Sequence, residues 1–381
     1  MAKGGLLRLV LPPLLAFTLA RLVLAAAALV AGVLPSVPGS WCRHDCGHYT
    51  TIALHGYTLG PCPGALPADS GALCGNTAWL PGYPLIVRAM HELGLRPRRA
   101  GVLVSAAFAF LALLLVWTAL DGPLAEQPSP VGRGVAALAL AALFPGSVYL
   151  HAISPLGVYA VAAVLALLLA SRDRPLPAGL AGAAAAFTYP LGLLLSPVLG
   201  AGFLLGPGSA GARVRRAAAS AGVAAGGFGA AMAVQHADTG RWWAFAIIQS
   251  HYSYAIRSPV LALDERIAAL FCKPFEGASA AASAQTLLVA LLVVAALASF
   301  FAAQPRVGAR GRFVALYVVA AWLLPLVIGE MEGGLHRREA ALLPLVLLTA
   351  RLPAPVQGAF AVASGVVAYA LALLFFGGRL V

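Results

Sequence analysis

Long apolar segments recur along the whole chain and are separated by short polar stretches. A helix needs about 20 mostly apolar residues to cross ~30 Å of hydrocarbon. The pattern therefore predicts an all-α fold, a polytopic transmembrane bundle of about 10 or 11 spans that forms one domain over residues 1–381. The predicted spans are 11–34, 100–120, 134–150, 157–170, 176–189, 191–205, 217–234, 285–303, 313–328, 340–350 and 356–376.

Composition supports a membrane protein and changes how the charge is interpreted. Hydrophobic residues make up 61% of the chain and charged residues 10%, whereas soluble domains carry about a quarter charged residues. The net charge of +12 comes from short basic clusters between the apolar segments, so it reports topology and contact with anionic lipids rather than nucleic-acid binding. Clusters assigned to the cytoplasm are Lys3 with Arg8, Arg172 with Arg174, Arg213 with Arg215 and Arg216, and Arg306 with Arg310 and Arg312.

This topology predicts two loops outside the cytoplasm, over residues 35–95 and 235–283. Within the first loop, residues 83–95 are amphipathic and too short to span, which predicts an interfacial helix. Arg96, Arg98 and Arg99 then also fall outside, against the usual bias, where they can meet lipid phosphates.

Four of the five cysteines, Cys42, Cys46, Cys62 and Cys74, lie in the first outer loop. An even number of cysteines facing an oxidising compartment favours two disulfides, and the sequence leaves all three pairings open. Zinc bound by Cys42 and Cys46 with His44 or His48 is the alternative, although no common zinc spacing is present. We therefore expect no metal.

Ionisable side chains crowd into the same loop: Arg43, His44, Asp45, His48 and His55. If the segment is helical, Asp45 and His48 share a face and can act together above the membrane. The alternative is a solvated loop that is polar only because it is wet.

The order of residues in this loop favours the first interpretation. It reads Arg43-x-Asp45-x-x-His48-Tyr49-x-x-Ile52-Ala53-x-His55-Gly56-Tyr57, followed by Ala78-Trp79-Leu80-Pro81-Gly82-Tyr83-Pro84. Both stretches resemble the first-loop signature of PIG-V-type mannosyltransferases, which belong to the GT-C superfamily of membrane glycosyltransferases. His44 stands where the family usually has tryptophan.

The resemblance implies a GT-C-type fold in the cell membrane, with its active site outside the cytoplasm. It implies inverting transfer of mannose, or a related sugar, from a polyprenyl-phosphate donor to a lipid, glycan or protein hydroxyl, without a cofactor. Asp45 is then the general base. The expected substrate-binding residues are Arg43, His44, His48, Tyr49, His55, Tyr57, Trp79, Tyr83, His336, Arg337 and Arg338.

Two other segments differ from the family pattern. Residues 154–157, Ser-Pro-Leu-Gly, replace a Tyr-Ser-Glu-Ser-like stretch, and residues 188–192, Thr-Tyr-Pro-Leu-Gly, replace Thr-Arg-Ser-x-Gly. Two alternatives therefore stand beside the enzyme: a transporter or flippase working through the bundle, where Arg21 would be intramembrane, and an inactive GT-C-like scaffold.

Overall fold

The computed structural model describes residues 3–62, 72–121, 132–252, 254–272, 277–302, 309–330 and 334–380. Helices dominate these residues, which confirms the all-α prediction, and six of them (α1, α4, α10, α13, α14 and α17 below) are long and apolar enough to cross a membrane. The helices are α1 (Lys3–Val30), α2 (Cys46–His55), α3 (Gly82–Glu92), α4 (Pro97–Leu120), α5 (Arg133–Ala142), α6 (Val148–His151), α7 (Leu156–Ser171), α8 (Pro175–Thr188), α9 (Leu195–Leu204), α10 (Ala210–Thr239), α11 (Ala244–Gln249), α12 (Pro259–Cys272), α13 (Gly277–Ala302), α14 (Ala309–Val327), α15 (Leu335–Glu339), α16 (Val346–Thr349) and α17 (Ala354–Phe376).

The basic clusters assigned to one side by sequence do meet at one end of the bundle, here called the arginine end. Arg216 forms an ion pair with Asp173 at 2.7 Å. Arg310 donates to the backbone carbonyl of Ala119 at 2.6 Å, where α4 ends. Arg306 lies outside the described residues.

The opposite end carries Asp45 and is called the Asp45 end. Helix α4 begins there, because the Tyr83 hydroxyl donates to the carbonyl of Gly101 at 3.0 Å, near its first turn. It finishes at the arginine end, where the Trp117 indole donates to the carbonyl of Arg8 at 3.3 Å. At ~1.5 Å per residue this helix separates the two ends by roughly 35 Å. The Arg96–Arg99 segment accordingly lies at the Asp45 end, and α3 does not cross.

Three predicted spans are broken or irregular helices, which corrects the sequence prediction. Residues 134–150 form α5 and the single turn α6, because Pro145 lacks an amide hydrogen and Gly146 adopts φ +79°. The span predicted over 191–205 is a 3₁₀ segment over Pro190–Leu194 followed by α9. The span predicted over 340–350 is a 3₁₀ segment over Ala340–Leu345, containing Pro344, followed by the short α16. The irregular backbone of the first and the last of these spans lies together, since a Cβ added to Gly146 would be 3.0 Å from the Cβ of Ala340.

Small residues bring some spans into close contact. A Cβ added to Gly227 of α10 would overlap the carbonyl oxygen of Ala183 in α8. Helices in membranes associate through such close backbone approach, because lipid supplies no hydrophobic drive between them. The alanine- and glycine-rich composition thus has a packing role in α8 and α10.

Two short two-stranded antiparallel sheets, which the hydrophobic pattern did not predict, lie at the Asp45 end. Strand β1 (Leu59–Pro61) pairs with β2 (Leu73–Gly75), and the Cys62–Cys74 disulfide closes this hairpin. Strand β3 (Tyr254–Ile256), from the second outer loop, pairs with β4 (Ile328–Glu330), which follows α14. The β3–β4 pairing therefore fixes the second loop beside the end of α14.

Candidate active site

A disulfide holds the segment that carries the predicted chemistry. Cys42 and Cys46 are bonded, with their Cα atoms 5.2 Å apart, so Arg43, His44 and Asp45 form a tight loop before α2. His44 adopts a left-handed backbone conformation with φ +48° inside this loop. Both sulfur atoms are used in the bond, which removes the thiolate ligands of the zinc alternative.

Asp45 sits at the amino-terminal cap position of α2, but its side chain does not cap the helix. Its Oδ2 instead accepts a hydrogen bond from Nη1 of Arg337 at 2.7 Å. Arg337 belongs to α15, 292 residues away in sequence. Burial lowers the pKa of Arg337, but the Asp45 carboxylate and the neighbouring tyrosines together raise it by more, so the net shift is upward and the guanidinium stays charged.

This ion pair lies in the wall of a cavity of about 650 Å³ at the Asp45 end. Among the described residues that line it, three arginines, Arg43, Arg337 and Arg338, face one carboxylate, Asp45. The excess of positive charge favours an anionic ligand. The volume lies in the range of small-molecule sites.

Arg43 is fixed by the last span. Its Nη2 donates to the backbone carbonyl of Phe376, at the end of α17, at 3.0 Å. Its Nε is buried and has no hydrogen-bond partner among the described residues. The end of the last span therefore holds the guanidinium of Arg43, which belongs to the first outer loop, in place.

His44 also lines the cavity, against the ring of Phe375. Burial, together with the neighbouring Arg337, lowers the pKa of His44 despite the opposing effect of Asp45. A neutral imidazole can donate and accept hydrogen bonds, which suits contact with sugar hydroxyls better than charge neutralisation.

The two segments that differ from the family pattern line the same cavity. Ser154, Pro155 and Leu156 form one part of the wall, and residues 188–191, including Tyr189, form another. Both lie at helix breaks, where the backbone is free to approach the site. Their composition therefore shapes the cavity without adding a charge.

The two halves of the first-loop signature are in direct contact. His48 of α2 stacks on Trp79, with ring centroids 3.5 Å apart, and the Tyr57 hydroxyl donates to the Trp79 carbonyl at 2.8 Å. Tyr49 meets Tyr83 edge to face at 5.6 Å. Trp79 and Tyr49 reach the cavity wall, whereas His48, Tyr57 and Tyr83 support them from behind.

His48 thus does not pair with Asp45 as the shared helical face suggested. Burial lowers the pKa of His48, with Asp45 opposing the shift, and its ring is held by Trp79. His55 is exposed at the carboxyl end of α2, away from the cavity lining. His336 is buried beneath Arg337, where its Nε2 lies 2.8 Å from the Tyr149 hydroxyl.

A buried polar cluster stands under Arg337 and was not predicted. The Gln285 amide of α13 donates to the His336 carbonyl at 2.6 Å and to Oε2 of Glu339 at 2.9 Å. Burial raises the pKa of Glu339 to about 8, although hydrogen bonds from Thr286 and Gln285 oppose the shift. Glu339 is followed in the sequence by an apolar segment, and this pattern does not indicate that its carboxyl group is buried.

Sequence reasoning also missed the residues that hold α2 in place. Arg88 of α3 donates from Nε to the Ala53 carbonyl at 2.7 Å and from Nη2 to that of Ile52 at 3.0 Å, satisfying the end of α2. Asp238, at the end of α10, accepts from the Tyr57 amide at 2.8 Å. The amphipathic pattern of 83–95 located Arg88 but not its partner.

The second outer loop covers the cavity from the other side. The Tyr254 hydroxyl donates to Oε1 of Gln249 at 2.5 Å, and the Gln249 amide donates to the Ala78 carbonyl at 3.4 Å. The Arg338 guanidinium lies 5.8 Å from the centre of the Tyr254 ring. These contacts join the second loop to the first loop and to α15.

No family model matches the chain, and no curated protein shows significant similarity to it. The residues that line the cavity define the chemistry that it can support. It brings together one carboxylate able to accept a proton, guanidinium groups able to hold an anion, and aromatic and hydroxyl groups able to contact a sugar.

Proposed function

We propose that this chain is a PIG-V-like glycosyltransferase of the GT-C superfamily. It transfers mannose, or a related sugar, with inversion from a polyprenyl-phosphate donor to an acceptor hydroxyl. The observation that carries the proposal is Asp45 paired with Arg337 in a cavity lined by two further arginines at one end of a membrane bundle. The ordered first-loop residues supply the independent support.

The proposed reaction needs one base and one stabilised leaving group. The acceptor oxygen attacks the anomeric carbon, a new C–O bond forms, and the hydroxyl proton passes to the Asp45 carboxylate. The bond between the anomeric carbon and the phosphate oxygen breaks, and its electron pair leaves with the polyprenyl phosphate. Arg337 and Arg43 stabilise that charge, so no second carboxylate is required.

The two altered wall segments bear on the acceptor. Residues 154–157 and 188–192 retain no acidic or basic side chain, and Tyr189, Pro190 and Leu191 offer ring and apolar surfaces instead. We infer that the acceptor differs from that of family members with Glu and Arg at these places. Lipid, glycan and protein acceptors all belong in the assay.

The orientation follows from charge. If the arginine end faces the cytoplasm, the Asp45 end opens to the outer surface of the cell membrane, where polyprenyl-phosphate sugars serve as donors. The apolar spans and the basic loops account for association with membrane lipids, including anionic ones.

The test is transfer from polyprenyl-phosphate-mannose by purified protein in proteoliposomes, with a panel of acceptors. Asp45→Asn keeps the shape of the side chain but removes the base, and we expect the rate to fall by about 10²–10⁴-fold. Asp264→Asn, which removes an exposed carboxylate of α12, is the matched control and should keep the wild-type rate.

Undiminished transfer by Asp45→Asn would remove Asp45 as the base. If the wild type transfers no sugar to any acceptor, the transporter and scaffold alternatives take precedence. A lipid-flipping assay in the same vesicles then separates them, because a flippase moves the polyprenyl phosphate across the bilayer and a scaffold does not.

A further inference from the structure

The Asp45–Arg337 pair joins two groups that the proposed reaction needs separately. Asp45 must accept a proton from the acceptor, whereas Arg337 must hold the phosphate of the donor. In the structure Nη1 of Arg337 and Oδ2 of Asp45 lie 2.7 Å apart. While this hydrogen bond is made, Oδ2 of Asp45 already accepts from Arg337 and is not free to accept from the hydroxyl of the acceptor.

A phosphate is a strong competitor for the same guanidinium. The phosphodiester of the donor has one negative charge, like a carboxylate, but its two free oxygens can bind arginine bidentately, whereas Asp45 makes a single hydrogen bond to Arg337. The pair is partly solvated, with 27% of the Arg337 side chain and 37% of the Asp45 side chain exposed. Exchange of partners therefore does not require unfolding of a buried ion pair.

The surroundings favour the exchange. Arg43 lines the same cavity, so an anion there gains a second cationic contact. The backbone around Arg337 is fixed from below, because Gln285 binds the carbonyl of His336 at 2.6 Å. Arg337 can thus change its partner while its helix stays in place.

We infer that Arg337 is a partner-exchange site, at which a lipid-linked phosphate displaces the Asp45 carboxylate and frees it to take the acceptor proton. This inference rests on the proposed function for the identity of the ligand. It makes the base available only when the donor phosphate is bound, so the donor binds before the acceptor reacts. Until the donor arrives, the Asp45 carboxylate stays paired with Arg337 and is not available to take a proton from water.

The inference predicts that removing the catalytic carboxylate strengthens ligand binding. The probe is a short-chain polyprenyl phosphate, which has no sugar to transfer, titrated into detergent-solubilised full-length protein. We expect Asp45→Asn to bind it about threefold to tenfold more tightly than the wild type, since the competing ion is gone. Arg337→Gln should weaken binding.

A double-mutant cycle separates exchange from a general field effect. In the Arg337→Gln background, Asp45→Asn should no longer tighten binding, whereas a mere change of net charge would act in both backgrounds. If Arg337→Gln does not fold, Arg337→Lys keeps the charge but loses the planar fork, and the effect of Asp45→Asn should shrink. Equal or weaker binding by Asp45→Asn would overturn the exchange.

Two further arms identify the source of the phosphate and isolate the function. Competition with the probe by inorganic phosphate supports exchange and assigns recognition to the phosphate group alone. Competition by the lipid form, but not by inorganic phosphate, supports exchange with a contribution from the lipid chain. If Asp45→Asn tightens binding but the wild type transfers no sugar, the exchange stands and the proposed function fails. If the wild type transfers sugar but Asp45→Asn does not tighten binding, the proposed function stands and the exchange fails.

Discussion

Gly56 shows how a residue of the first-loop signature is required by backbone geometry rather than by chemistry. It follows α2 with φ +80° and ψ −162°, a region that only glycine adopts readily. A Cβ at this position would lie 2.7 Å from Oδ2 of Asp238, the atom that accepts the Tyr57 amide. The turn therefore aims Tyr57 at Trp79.

Replacing Gly56 should destabilise the protein. We expect Gly56→Ala to cost about 1–3 kcal/mol, because it adds backbone strain and displaces Asp238. Gly47→Ala is the matched control: Gly47 lies inside α2 with nothing within 4 Å of an added Cβ, and alanine favours helix there. Thermal unfolding of the purified variants measures both, and equal midpoints for the two variants would contradict this account.

Glu339 gives a second residue-scale prediction, based on pH. Its pKa in the folded protein is raised from the usual 4.5 to about 8, mainly by burial. The folded state therefore holds a proton that the unfolded state releases, and stability falls as pH rises from about 4.5 to about 8. Below that window the residue has no effect.

Glu339→Gln removes this titration while keeping the hydrogen-bonding shape. The variant should gain thermal stability relative to the wild type at pH 8.5 and show little difference at pH 4.5. Glu92→Gln, at an exposed position at the end of α3, is the matched control for the loss of a carboxylate. A pH-independent difference between Glu339→Gln and the wild type would show that ionisation is not the cause.

At the scale of elements, the Cys42–Cys46 disulfide and the Cys62–Cys74 disulfide have different tasks. The first encloses Arg43, His44 and Asp45, whereas the second closes the β1–β2 hairpin beyond the cavity lining. Replacing both Cys42 and Cys46 by serine should lower the rate of sugar transfer with little loss of thermal stability. The pair Cys62→Ser and Cys74→Ser should change transfer less, as measured in the proteoliposome assay; equal losses would contradict the assignment.

The sequence predicted the long helices and the cysteine-rich loop well, but not how they meet. Hydrophobic periodicity located the long spans because a membrane helix needs ~20 apolar residues in sequence. It did not show the break after α5, because Pro145 and Gly146 interrupt an otherwise apolar run. It could not show the Arg337–Asp45 contact, since nothing local links residues 292 positions apart.

At the scale of the whole molecule, charge is sorted between the two ends of the bundle. The clusters around Arg172, Arg213 and Arg310 were assigned to one side from loop order alone, and their described members meet at the arginine end. The exception is the Arg96–Arg99 segment, which lies at the Asp45 end as the sequence predicted despite the usual bias. The relative arrangement was therefore predictable, because alternate short loops must lie on opposite sides.

Which end faces the cytoplasm leads to the last prediction. Cys272 has an exposed free thiol and is the last residue of α12. It lies at the Asp45 end of the bundle, shortly before α13 begins in sequence. A membrane-impermeant maleimide added to intact cells should therefore label the wild-type chain. Gly211 begins α10 at the arginine end with open space around it, so Gly211→Cys in a Cys272→Ser background should be labelled only after permeabilisation. The reverse pattern would place Asp45 in the cytoplasm, where an externally supplied polyprenyl-phosphate sugar cannot reach it, and the proposed function would fall with the topology.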